Sequence, residues 1–210
     1  MLEEPKITSD LWLVRHGITD WNVEGRYQGQ SDTPLNETGL AQAQALAQEL
    51  QAEQAAGKTF SAIYSSDLRR ASATAQILAD ALGLTVRLDP RLREINQGEW
   101  EGKEYRTIVA QYRELLSVRA QDALAYRAPG GESTLEVAER VRAAADDIAA
   151  AHPAEIVLVV SHGVALACLI AQATGKGLQN VYSMLPNNTH PVQIQWPVPL
   201  PNPAEGADGR

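Results

Sequence analysis

Leu11-Trp12-Leu13-Val14-Arg15-His16-Gly17 and Ile156-Val157-Leu158-Val159-Val160-Ser161-His162-Gly163 are the two stretches on which the fold turns. Each is an unbroken apolar run that ends in a polar residue and a His-Gly pair. A strand covered on one side alternates apolar with polar residues, whereas a strand buried on both sides is apolar throughout. Both runs therefore predict central strands of a parallel sheet. Weaker strand signals lie at Phe60 to Tyr64, Thr85 to Leu88 and Val192 to Gln195. Helical spacing fills the gaps. Leu40, Ala43, Ala47 and Leu50 share one helix face, as do Leu68, Ala71, Ala75, Leu78 and Leu82, with Gly83 as the stop. Ser133 and Glu136 form a capping box that opens a helix running to about Ala151. A further helix is expected from Gly163 to near Gly175. Strands alternating with helices predict an α/β fold with a mostly parallel sheet. One domain is expected over residues 1–196, with a helical cap at about 101–130. The Pro-, Gly- and acid-rich stretch 197–210 reads as a disordered tail.

The bulk numbers exclude several classes. The 210 residues are 44% hydrophobic and 21% charged, normal for a globular protein. A net charge of −8 argues against nucleic acid or an anionic membrane as the main partner. Such a chain binds an anion only through a local cluster of arginines and backbone N–H groups. Cys168 is the single cysteine, so no intramolecular disulfide supports the fold. Met1 to Asp10 carries Glu3 and Glu4 and lacks the apolar core of a signal peptide. The longest apolar stretch, Ile156 to Ala171, is interrupted at Ser161-His162-Gly163 and falls short of the roughly 20 residues of a membrane span. The expectation is a cytoplasmic protein with no membrane partner. Oligomeric state stays open, a homodimer included.

The chemistry follows from where the two His-Gly pairs lie. Ligands of open parallel sheets bind beyond the carboxyl ends of the strands. If the two strands are neighbours, both imidazoles meet there. Glycine permits the tight turn, and a helix that starts after it offers free N–H groups to an anion. The strand from Phe60 ends at Ser65-Ser66 and enters a helix whose first turn holds Arg69 and Arg70. Imidazole, guanidinium and helix N-termini together make a phosphate site in kind. A lone His-Gly is a weak signal; two at equivalent strand ends, one after an arginine, are a strong one. His152 and His190 each precede proline and read as exposed and without function.

Other phosphoryl-transfer chemistries can be tested directly. There is no Gly-rich loop ending in Gly-Lys-Ser/Thr. Six residues after Cys168 stands Thr174, not arginine, so no cysteine-nucleophile loop exists. No His-Glu-x-x-His helix or dinuclear Asp/His cluster appears, so neither metal nor cofactor is called for. Histidine remains as the nucleophile.

At this point the residues resemble a known family. Leu13-Val14-Arg15-His16-Gly17-Ile18-Thr19-Asp20-Trp21-Asn22 is similar to the signature of the histidine phosphatase superfamily, in the branch with cofactor-dependent phosphoglycerate mutase. Arg26-Tyr27-Gln28-Gly29, Ser66-Asp67-Leu68-Arg69-Arg70-Ala71, Leu92-Arg93-Glu94-Ile95, Gly131-Glu132-Ser133 and Val160-Ser161-His162-Gly163 match further blocks in order. The resemblance implies a three-layer α/β/α fold with a small helical cap. It also implies roles: His16 becomes phosphorylated, Arg15, Arg70 and His162 hold the phosphoryl oxygens, and Glu94 protonates the leaving oxygen. Asn22, Gln28, Gly29 and Gly163 line the substrate pocket. Periodicity cannot choose between Arg69 and Arg70; the family pattern selects Arg70 and leaves Arg69 solvated or salt-bridged. From the residues alone, Glu94 reads instead as a salt-bridge partner of Arg91 or Arg93.

The implied reaction is metal-independent hydrolysis of a small phosphorylated metabolite. The phosphoglycerate mutases of this family carry a longer cap with paired basic residues for the substrate carboxylate. Here Lys103 to Pro129 is short and offers scattered Arg106, Arg113, Arg119 and Arg127. A mutase is the alternative. A non-catalytic phosphate-binding member is a third reading, disfavoured because all five implied catalytic residues are present.

Overall fold

The computed structural model describes residues 7–112 and 122–198. In chain order its elements are β1 (Thr8–Arg15), α1 (Asp20–Val23), α2 (Glu37–Ala55), β2 (Phe60–Ser65), α3 (Arg69–Leu82), β3 (Val86–Leu88), α4 (Tyr105–Gln111), α5 (Thr134–Ala151), β4 (Ile156–Ser161), α6 (Gly163–Thr174) and β5 (Val192–Pro197). The strands form one sheet in the order β3-β2-β4-β1-β5. All neighbours are parallel except β1 and β5, which pair antiparallel.

The two apolar runs are the central pair, and their side chains alternate between two cores. Leu11 and Leu13 of β1 and Val157 and Val159 of β4 pack under α5 and α6. Trp12 and Val14, with Leu158 and Val160, pack against α2 and α3 on the other face. Each strand residue is thus buried whichever way it points, which is why neither run alternates. Full burial of one such side chain contributes roughly 1.5–3 kcal/mol. The register aligns Arg15 with Ser161, so the chain leaves both strands at the same level and His16 and His162 emerge side by side.

The expected helix signals hold. Gly83 and Gly175 end α3 and α6 in the left-handed conformation, at φ 70° and 66°. Ser133 and Glu136 form the reciprocal capping box at the start of α5. One expected core position does not hold: Leu40 is 41% exposed, and the buried stripe of α2 is Gly39, Ala43, Leu46, Ala47 and Leu50. The cause is a backbone contact. A Cβ on Gly39 would overlap the carbonyl oxygen of Ile18, and one on Gly17 the carbonyl oxygen of Gly39. With Gly39 turned against the loop that follows β1, Leu40 lies about 100° further round the helix and faces out.

Pro197, expected to open the tail, belongs instead to the sheet. Pro197 is the last residue of β5 and pairs with Thr8, and the Val198 amide donates to the Ile7 carbonyl at 2.9 Å. Ile194 and Trp196 face inward and hold this edge strand down, and the Trp196 indole donates to Asp146 at 2.8 Å. Proline is tolerated there because it closes an edge strand. Residues 199–210 lie outside the described residues.

A small third cluster is built on aromatics. Trp100 is buried, with the rings of Tyr27, Tyr112 and Tyr126 at 5.6–5.9 Å. Ile108 of α4 and Ala128 complete this small third core. Arg113 and Arg119 lie outside the described residues. No helix among the described residues is long and apolar enough to cross a membrane.

Candidate active site

The carboxyl ends of β1, β2 and β4 meet at a cavity of about 630 Å³. Arg15, His16, Asn22, Gln28, Gly29 and Arg70 line it, as do Glu94 and Gly163. The rings of His16 and His162 stand 5.1 Å apart, edge to face. His162 is fully buried beside it. The structure therefore brings together every site residue expected from sequence.

His16 is held from both ends. Its amide donates to the Ser161 carbonyl at 3.1 Å, and its own carbonyl accepts from Asn188 Nδ2 at 2.6 Å. Its Nδ1 lies 2.7 Å from the Gly17 carbonyl, a distance that assigns the proton to Nδ1 and the lone pair to Nε2. The Nε–H of Arg70 points at that Nε2, at 3.2 Å. The Arg70 guanidinium is fixed by donating to the carbonyls of Ser31 at 2.7 Å and Gly29 at 2.8 Å. Gly29 thus acts on the site through its carbonyl. Gly29 has φ +53°, and a Cβ there would overlap the Glu101 carboxylate. That carboxylate in turn accepts from the amides of Gln30 and Gln97 and from the Ser31 hydroxyl.

Arg15 donates to the Pro186 carbonyl at 3.0 Å. Its Nε, although buried, has no partner among the described residues. The same is true of His162 Nδ1, whose other ring nitrogen is 2.8 Å from Ser66 Oγ. Buried donors without partners are rare, and two beside one cavity fit a ligand that accepts hydrogen bonds. Gln28 Oε1 accepts from Thr19 Oγ1 at 3.0 Å and Thr33 Oγ1 at 2.7 Å, which leaves its amide donors for the cavity. Asn22 caps α1 reciprocally with Thr19.

Glu94 is not the salt-bridge partner that its neighbours suggest. Arg91 pairs with Asp89 and Asp147, and Arg93 with Asp67. Instead Glu94 Oε1 accepts from the amides of Ile95, Val164 and Ala165 at 3.0–3.2 Å, whereas Oε2 accepts only from Val164 at 3.2 Å. The carboxylate is therefore pinned to the N-terminus of α6 by one oxygen, with the other less encumbered. Arg69 is the exposed, salt-bridged member of its pair, bound to Asp32 at 2.9 Å.

Sequence reasoning missed the residue that sets Glu94 in place. Arg140 donates to the carbonyls of Arg91, Arg93 and Glu94 at 2.6–2.9 Å and forms a two-point pair with Glu132. The Gly-Glu-Ser block gave a signal for Glu132, but Arg140 lies on an amphipathic helix where arginine is ordinary. His152 was also misjudged. It is 8% exposed, with Nδ1 at 2.7 Å from Glu155 and Nε2 near Tyr64 and Arg87, and it does not line the cavity. His190 is exposed, as expected.

Electrostatics keeps both imidazoles neutral. Burial, then the charge of Arg70, holds His16 well below the usual histidine range, with Arg15 adding to this and the Gly17 bond opposing it. Burial and Arg70 do the same to His162, helped by His16, Arg140 and Arg15. Burial lowers Arg15 against the pull of Glu94, and brings Arg70 down to about 10, still cationic at neutral pH. Unfolding returns both imidazoles to about 6.5. Below that value the unfolded chain binds protons that the native chain refuses, so stability falls as pH falls. The melting temperature should drop as pH is lowered from about 7 to about 5, and His162→Gln should reduce that slope. An unchanged slope in the variant would show that His162 titrates alike in both states. Among the described residues no group of three or more His, Cys, Asp or Glu is placed to hold a metal ion.

Comparison with known proteins gives the same picture. The family model for the histidine phosphatase superfamily (branch 1) matches residues 11–197. The chain is 40% identical over 165 residues to the Yersinia pestis protein named "probable phosphoglycerate mutase GpmB", covering 79% of this chain and 74% of that one. It is 36% identical to a mycobacterial glucosyl-3-phosphoglycerate phosphatase in complex with VO3, with a TM-score of 0.78 over 88% of this chain and 90% of that one. The alpha-ribazole phosphatase from Shigella flexneri is 28% identical, with a TM-score of 0.77 over 92% and 100% of the two chains. The match spans nearly all the described residues and includes both histidines, and the chain belongs to branch 1 of the histidine phosphatase superfamily.

Proposed function

We propose that this histidine phosphatase hydrolyses small phosphomonoesters in two steps, through a phosphohistidine at His16 Nε2 and without a metal. The observation that carries the reading is the His16 ring itself: Nδ1 is committed to the Gly17 carbonyl, so the lone pair on Nε2 faces Arg70 at the cavity floor. In the first step the Nε2–P bond forms and the ester P–O bond breaks. The leaving oxygen takes a proton from Glu94 Oε2. In the second step Glu94 takes a proton from water, whose oxygen attacks phosphorus as the N–P bond breaks. Arg15, Arg70 and His162 Nδ1 meet the phosphoryl oxygens, and such positioning supplies most of the catalysis in phosphoryl transfer. Splitting one displacement into two lowers the barrier to each. Cys168 is buried and unpaired, which suits the reducing cytoplasm proposed as the enzyme's location.

Mutase activity is the second reading, and the likeness to GpmB favours it. A mutase must keep water from phosphohistidine, yet Tyr105 at the cavity rim is 60% exposed. The test is phosphate release from 3-phosphoglycerate and from an aryl phosphate, in excess EDTA and without a bisphosphate primer. The proposal expects hydrolysis in both cases. Activity lost to chelator and restored by a divalent ion would refute the metal-free mechanism. Rapid primer-stimulated interconversion of 2- and 3-phosphoglycerate with little hydrolysis would establish the mutase.

A further inference from the structure

Of the block Ser66-Asp67-Leu68-Arg69-Arg70-Ala71, the proposed chemistry uses Arg70 alone. Asp67 and Arg69 are engaged in ion pairs with Arg93 and Asp32. Ser66 is different. It is fully buried just after β2, and its amide donates to the Val160 carbonyl of β4 at 3.0 Å. That bond sets Ser66 level with the end of β4, and its Oγ lies 2.8 Å from Nε2 of His162. His162 stands at the N-cap of α6, yet its side chain makes no capping bond. The ring is turned to Ser66 instead, and its buried Nδ1 is left without a partner.

Counting donors and acceptors decides which ring nitrogen carries the hydrogen. A neutral imidazole has one of each. Burial and the charge of Arg70 keep His162 neutral. The Ser66 hydroxyl accepts from the Leu68 amide at 3.3 Å, and among the described residues its own hydrogen has one acceptor, His162 Nε2. If Nε2 carried the ring proton, the hydroxyl hydrogen would be buried and unpaired, which native structures avoid. Nδ1 would then turn a lone pair toward phosphoryl oxygens, which accept hydrogen bonds and do not donate them. Both faults vanish when Ser66 donates to Nε2 and the proton sits on Nδ1.

We infer that Ser66 is a positioning residue: its hydroxyl donates to His162 Nε2, fixes the ring as the Nδ1–H tautomer and so makes His162 a neutral hydrogen-bond donor to the phosphoryl group. The inference rests on the phosphatase reading and extends it to a residue that never touches the substrate. The two histidines then carry their protons on the same ring atom for opposite purposes. In His16, Nδ1–H is tied to the Gly17 carbonyl, and Nε2 attacks. In His162, Nε2 is tied to Ser66, and Nδ1–H is kept for the oxygens on which charge develops. A donor oriented before reaction needs no reorganisation when that charge appears.

Nitrogen-15 NMR of the wild-type protein labelled on histidine reads the tautomer directly. The His162 signals, identified by their absence from His162→Gln, should show Nδ1 protonated and Nε2 unprotonated at neutral pH. Inorganic phosphate, at concentrations that inhibit hydrolysis of 4-nitrophenyl phosphate, should move the Nδ1–H proton to lower field as it gains an acceptor. Ser66→Ala should leave the ring in mixed tautomers and lower kcat about 10- to 100-fold, at most the effect of losing one preorganised donor. In a His162→Gln background the same substitution should cost little further rate, because the ring through which it acts is gone. A serine that only secured the Leu68 turn would behave otherwise. Its loss would lower the melting temperature with the tautomer unchanged, and the rate losses of the double variant would multiply. Either result would overturn the inference, as would a proton on Nε2 in the wild type or an Nδ1–H that ignores bound phosphate. The wild-type spectrum decides the tautomer even if Ser66→Ala fails to fold. A wild-type protein that releases no phosphate from 4-nitrophenyl phosphate would instead remove the phosphatase reading beneath, and the nitrogen spectrum would still decide the tautomer.

Discussion

His16→Ala is expected to lower kcat for phosphate release by about 10⁴-fold or more, the scale of losing a covalent nucleophile. Without Nε2, water must attack the ester directly, and only the electrostatic contribution of Arg15 and Arg70 remains. Those arginines are held by the carbonyls of Pro186, Ser31 and Gly29, none of which touches the imidazole, so KM should change little. The backbone at position 16 is fixed by Ser161 and Asn188 through main-chain atoms that alanine keeps. The variant should therefore fold, and removing a buried imidazole should blunt its acid sensitivity. Rapid acid-free quench of the wild type with labelled substrate should trap a base-stable, acid-labile phosphoryl group, absent from the variant. His190→Ala should behave as wild type. His152→Ala should lose stability, because Glu155, Tyr64 and Arg87 lose a shared partner, but keep its kcat. Label on Cys168 would overturn the assignment; burial pushes that thiol up to about 12, which makes it a poor nucleophile at neutral pH. Retention of activity within about 10-fold in His16→Ala would be equally damaging.

What the sequence makes legible here follows from the range of the interactions involved. β1 and β4 were readable because burial on two faces leaves a local mark, an apolar run, and because their shared His-Gly ending marks a shared edge. Gly83, Gly175 and the Ser133–Glu136 box are likewise local signals set by backbone geometry. Leu40 misled because its neighbour's contact with Ile18 crosses 21 positions and turns the helix by one residue. His152 misled because prolines and a helix end look like surface, whereas its partners come from β2 and β3. Pro197 misled because composition takes no account of an edge strand that needs no N–H at its last residue. The site residues were legible as a set through the family resemblance. Elementary chemistry alone reached His16, His162 and an arginine at position 69 or 70, and it put Glu94 in the wrong pair. Arg140 was out of reach, because its work is done on the carbonyls of a segment 46–49 positions away.

Glu94→Gln should separate leaving groups. An alkoxide departs only as it is protonated, whereas a nitrophenolate leaves unaided. Loss of the acid should therefore slow alkyl phosphates by on the order of 10²–10⁴-fold, the usual scale for a positioned proton donor, and 4-nitrophenyl phosphate far less. The structure makes glutamine a clean test. Oε1 carries the amides of Ile95, Val164 and Ala165, and a glutamine carbonyl can accept all three. Its NH2 replaces Oε2, which gives up only the 3.2 Å contact with Val164. Arg140 grips the main-chain carbonyl of residue 94 and does not sense the change. The melting temperature should accordingly move little while the leaving-group dependence steepens. A purely structural Glu94 would behave differently: stability would fall, and both substrates would slow by the same factor. Equal losses across leaving groups of very different basicity would rule out the acid role and return Glu94 to the helix-capping function that its hydrogen bonds also allow.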